Sequence, residues 1–95
     1  MEIQEAYRQK MAAQLKEWNA QINLFEAKLE TTGADLKLKR AQELQELRAK
    51  QQTAIDKMHE LGQASGEAWT QLRNTADKIW DDLKTGMAEA HAKFK

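Results

Sequence analysis

Large apolar residues fall at Tyr7, Met11, Leu15, Trp18, Ile22, Phe25 and Leu29, in alternating steps of four and three that place them on one face of a helix. A second run follows at Leu36, Leu44, Leu47, Ile55 and Met58, and a third at Trp69, Leu72, Ala76, Trp80, Leu83, Met87 and Phe94. Polar and charged residues fill the positions between. The third run has an eleven-residue period, with Trp69, Trp80 and His91 at one position and Leu72, Leu83 and Phe94 at another. It predicts an amphipathic helix over about 67–94.

The stretch Thr31-Thr32-Gly33-Ala34-Asp35 offers a place to end one helix and start another, with Thr32 and Asp35 as an N-cap pair and Gly33 as a helix end. The register argues against a break. Phe25, Leu29, Gly33, Leu36, Arg40, Leu44, Leu47, Gln51, Ile55 and Met58 step four, four, three without interruption. Ala6, Ala13, Ala20, Ala27, Ala34 and Ala41 recur every seven residues, interleaved with Leu24 and Leu38. A loop ordinarily resets such a phase, so the spacing predicts one helix over about 3–61. That rod would be roughly 90 Å long, with Gly33 a weak point of roughly 1 kcal/mol relative to alanine. Gly62 can take the left-handed conformation that closes a helix, and Ser65 and Glu67 suit the start of the next. A turn is therefore expected over 62–66, and the GxxxG spacing of Gly62 and Gly66 belongs to this polar turn rather than to a membrane helix.

The fold class expected is all-α: a helical hairpin of coiled-coil type forming a single domain over 1–95. A second helix half as long as the first covers only Leu36 to Leu61, which leaves Tyr7, Leu15, Trp18, Ile22 and Phe25 open to water. A second chain is the simplest cover, so these five residues are the expected intermolecular seam of a homodimer. Arg40 and Gln51 sit on the stripe, where polar residues fix register. Leu44, Leu47, Ile55 and Met58 are expected to meet Trp69, Leu72, Trp80 and Leu83 within the chain. The alternative is a monomeric three-helix bundle broken near Gly33.

Composition strengthens the helical reading: there is no proline, glycine occurs four times, and Ala, Leu, Lys, Glu and Gln dominate. With no cysteine there is neither a disulfide framework nor a thiolate site. The N-terminus lacks the basic start and apolar run of a secretory signal, and no stretch approaches a membrane span, so a soluble, cytoplasmic chain without a leader is expected. Fifteen basic residues balance fifteen acidic ones, ten of each before Gly62 and five of each after it. That even distribution provides no footprint for nucleic acid or anionic lipid.

The segments Leu15-Lys16-Glu17-Trp18-Asn19-Ala20-Gln21-Ile22, Ser65-Gly66-Glu67-Ala68-Trp69 with Leu72, and Trp80-Asp81-Asp82-Leu83-Lys84 resemble a group of small bacterial coiled-coil domain-containing proteins. The resemblance spans most of the chain, and its motifs are helical packing patterns. It implies a bacterial, cytoplasmic setting and adds nothing catalytic.

Candidate chemistry is sparse. Asp56 and His59 have the spacing used in helical di-iron sites, but no second such pair accompanies them. His59-Glu60 opens like a zincin motif, yet the residue four after His59 is Gln63. His91 takes the tryptophan position of the repeat at a helix end, Ser65 follows no strand, and Asp81-Asp82 reads as a charged outer face. No catalytic residue, cofactor or metal is expected. The tryptophans, each able to bury about 200 Å², serve either a core or a binding face. The leading expectation is a self-associating structural, adaptor or scaffold element; the alternative is an amphipathic binder of a membrane, lipid or other hydrophobic surface.

Overall fold

A computed structural model describes residues 3–94. Among them are three helices and no strand: α1 (Ile3–Leu29), α2 (Ala34–Gln63) and α3 (Gly66–Lys93). They fold into a body with principal extents of 50 × 20 × 18 Å. Arg8 beside Gly62 and Arg48 beside Asn19 show that α2 runs antiparallel to α1. Tyr7 beside Trp69 and Phe25 beside Phe94 show that α3 runs parallel to it.

The single helix expected over 3–61 is therefore corrected to two helices. Three poor helix formers in a row, Thr31, Thr32 and Gly33, weaken the rod at one point. Folding back there buries Met11, Leu15, Trp18, Ile22 and Phe25, each contributing about 1.5–3 kcal/mol, far more than the few helical hydrogen bonds lost. Helix α1 closes with short bonds from the Glu30, Thr31 and Thr32 amides to the carbonyls three residues earlier. The hydroxyls of Thr31 and Thr32 donate to the Lys28 carbonyl, so Thr32 finishes α1 rather than capping α2. The N-cap of α2 is Gly33, at φ −60° and ψ 151° with no side-chain bond, and its carbonyl accepts from the amides of Leu36 and Lys37.

The phase does reset at this break. The alternation of three and four in α1 resumes along α2 at Leu44, Leu47, Gln51, Ala54, Met58 and Leu61, one residue out of step. A straight helix drifts about 20° per heptad, and over this distance the drift cancels the one-residue shift. That cancellation produced the apparent eleven-residue continuity.

The second turn is tighter than expected, two residues long, with Ala64 as C-cap of α2 and Ser65 as N-cap of α3. Gly62 lies inside the last turn of α2, and no residue described has a positive φ, so its left-handed cap role is corrected. Ser65 holds its expected position but works through its backbone, its carbonyl accepting from the Trp69 amide at 2.7 Å. One core cluster joins all three helices from Met11 to Phe94, and a smaller one at the α2–α3 turn joins Leu61, Trp69 and Ala76. Gly86 lets α3 come close to α2, since a Cβ there would stand 3.2 Å from Leu47 Cδ1.

Gly33 is extended, exposed and has open space where a Cβ would stand. Gly33→Ser should supply the missing cap and lower the entropy of the unfolded chain, a gain of about 0.5–1 kcal/mol. Thermal unfolding followed by circular dichroism should show a midpoint about 4 °C higher.

Candidate interaction faces

The chain has six aromatic residues, and all six pair across α1 and α3. Tyr7 meets Trp69 edge-on, with centroids 5.5 Å apart. Trp18 lies tilted against Trp80 at 5.7 Å, and Phe25 stacks on Phe94 at 5.3 Å. Rings of this size hold the two backbones apart, so α1 and α3 touch through side chains while α2 packs closely on both.

The five residues expected to form a seam with another chain are placed inside this chain. Ile22 is 0% exposed, Leu15, Trp18 and Phe25 are buried, and Tyr7 is half-buried at the edge of the core. Helices α2 and α3 cover the stripe that a two-helix hairpin leaves open. Leu44, Leu47, Trp69, Trp80 and Leu83 are buried as expected, whereas Ile55, Met58 and Leu72 are only partly so, Ala54 and Leu61 taking the deeper places. Ala90 turns inward and His91 outward, placing His91 at the bundle's edge.

At the α2–α3 end, Tyr7 Oη donates to Asp77 Oδ1 at 2.5 Å. The Arg73 guanidinium lies 5.1 Å from the Tyr7 ring centroid and 5.7 Å from that of Trp69. Burial, then the hydrogen bond to and charge of Asp77, push the Tyr7 phenol above its ordinary value, while Arg73 acts in the opposite sense. Trp69 Nε1 is buried with no hydrogen-bond partner. Its indole is held by ring contacts and by apolar packing with Leu61 and Ala76, which must outweigh about 1–3 kcal/mol of lost hydration.

Between α1 and α2 the chemistry is polar. Arg48 donates to Glu26, Asn19, Asn23 and Gln51 at 2.8–3.1 Å, and the Gln51 amide donates to Asn19 at 2.9 Å. Gln51, only 6% exposed, is thus satisfied at the buried edge of the cluster. Arg40, the other polar residue on the stripe, is half-buried against Glu43, which Lys93 also approaches at 3.6 Å. The Arg48 and Gln51 contacts distinguish the true register of α1 on α2 from a slipped one, which would strand Gln51.

The remaining candidates stay apart. His59 is exposed beside a groove lined by Arg8, Ala12, Leu15, Ile55 and Met58, and Asp56 accepts from Gln52 on its own helix. Asp81 and Asp82 face outward, Asp82 approaching Lys50 at 3.5 Å. Among the described residues no three His, Asp or Glu side chains gather as a metal site, and no helix is long and apolar enough to cross a membrane. No family model, curated protein or solved structure matches the chain.

The sequence carried one unused signal for the aromatic seam. Tyr7 and Trp18 are eleven residues apart, as are Trp69 and Trp80, so two parallel helices bring both pairs into line together. The roles of Arg48 and Arg73 had no such signal, because nothing in their spacing marks a partner on another helix.

Two outcomes follow from this geometry. Trp18→Ala should cost about 3–5 kcal/mol of stability, and a double-mutant cycle with Trp80 in urea unfolding should show a coupling of about 0.5–1.5 kcal/mol. Tyr7 is the only tyrosine, so absorbance near 295 nm reports its ionisation alone. Its folded value is raised, so its contribution is full below about pH 10 and is lost as the pH rises through the folded value. The native protein should show little tyrosinate at pH 11, and urea should restore the ordinary titration.

Proposed function

We propose that the chain is a non-enzymatic structural or adaptor element that works by helix packing and associates with a second copy of itself. The observation that carries this reading is the use made of the side chains. All six aromatics, the Arg48 cluster and the apolar stripes serve helix–helix contact. Leu24 and Leu38 remain 61% and 71% exposed on the outer faces of α1 and α2, alongside exposed Ala20, Ala27 and Ala34. These leave apolar surface on which further helix packing can build. The bacterial, cytoplasmic setting implied by the resemblance belongs to the same reading. The balanced charge supports protein rather than nucleic acid as the partner.

A second reading, attachment to a lipid or other hydrophobic surface, draws support from the way α1 and α3 meet. Their contact is made by rings, and parting them would present Trp18, Trp80, Phe25 and Phe94 on amphipathic faces.

Light-scattering mass across a concentration series, with circular dichroism on the same samples, separates these. Self-association gives a helical protein in plain buffer whose mass rises toward twice that of the chain. A constant chain mass would overturn it. A gain of helix and a blue-shifted tryptophan emission only on adding vesicles would favour the surface reading instead.

A further inference from the structure

The hydrogen bonds of the connection between α1 and α2 are all local, although Thr31 and Thr32 line a groove with Lys93 and Phe94. The four residues of the connection, 30–33, bond to the end of α1 or to the start of α2, and no side chain stands within 4 Å of where a Gly33 Cβ would lie. No residue in it has a positive φ that helical backbone would have to undo. Making these four residues helical therefore meets no barrier from a special turn conformation or from packing at Gly33.

Straightening also keeps the core residues in line. At about 100° per residue, Met11, Leu15, Trp18, Ile22 and Phe25 point to the same side of a common axis as Leu44, Leu47, Gln51 and Ala54. The stripe that misleads in sequence is thus a real property of the extended form. Helix α1 meets the rest of the chain through that one face, antiparallel to α2 and parallel to α3. Two straightened chains laid antiparallel recreate both relations, each α1 against the α2 and α3 of the other copy.

We infer that the chain dimerises by exchanging α1 between two copies, residues 3–63 of each becoming one continuous helix. The inference rests on the self-associating reading above and names its mode. The pairings Tyr7 with Trp69, Trp18 with Trp80, and Phe25 with Phe94, and the Arg48 cluster with Asn19, Asn23 and Glu26, are all kept, now between chains. Gained are the helical hydrogen bonds across residues 30–33; lost are the translational freedom of one chain and the local bonds of the bend.

Two variants of the full chain bias the hinge in opposite directions. Ala34 is the first residue of α2, exposed, and follows Gly33 at φ −60° and ψ 151°, the conformation a proline requires of its predecessor. Ala34→Pro therefore fits the bent hinge and opposes the straight one, where its ring would clash with the Glu30 carbonyl. The triple change Thr31→Ala, Thr32→Ala, Gly33→Ala favours the straight helix and weakens the cap. Sedimentation equilibrium on both and on the parent chain, with circular dichroism to confirm folding, reads the effect. Exchange requires a dimer dissociation constant raised at least about 100-fold by Ala34→Pro and lowered at least about tenfold by the triple change.

A dimer indifferent to both variants would overturn exchange while leaving self-association standing. Three proteins that all remain single chains would overturn both. If Ala34→Pro does not fold, the triple change decides alone, and failure to tighten the dimer overturns the inference.

Discussion

Ring-to-ring contact between α1 and α3 is the constraint on which the remaining structure depends. A chain of this size has room for one modest core, and here that core is built around three aromatic pairs strung along two parallel helices. Because those helices stand apart, α2 must fill the space behind them with smaller residues. Ala54 at 0% exposure and Gly86 facing Leu47 are the consequence on α2 and α3. The α2–α3 turn can then be two residues long, because the close approach of those helices leaves little distance to bridge.

Polar contacts perform a different task. The ring pairs and leucines stabilise folding but discriminate weakly between registers a turn apart, since apolar surface is non-directional. Arg48, with donors aimed at three residues of α1 and at Gln51, discriminates strongly. Surface pairs such as Lys57 with Glu60 are worth little individually. Stability thus comes from the apolar core shared by all three helices, and specificity of register from the polar contacts between α1 and α2.

Much of this was legible in the sequence because helical periodicity is a local property. The face each helix buries, the start of α3 near Glu67 and the stripe positions of Arg40 and Gln51 follow from spacing alone, whereas the repeat put His91 in line with Trp69 and Trp80 and Ala90 takes the inward place instead. The break at 30–33 did not, because the drift of a straight helix cancels the phase shift between α1 and α2. Its cause is tertiary: Trp18 and Ile22 gain more from α3 than the hinge loses. For the same reason the five seam residues stand open in a two-helix hairpin, and what covers them within one chain was not visible. Gly62 carried a misleading signal, since a glycine near a helix end suggests a left-handed cap, and here the two-residue turn needs none.

Whether three aromatic pairs set the relation of α1 to α3 is read from proton–proton Overhauser contacts between assigned rings in solution. Cross-peaks linking Tyr7 with Trp69, Trp18 with Trp80, and Phe25 with Phe94 are expected in a single set. Cross-peaks joining Trp18 to Trp69, or aromatic resonances with no inter-ring contacts at all, would contradict that pairing.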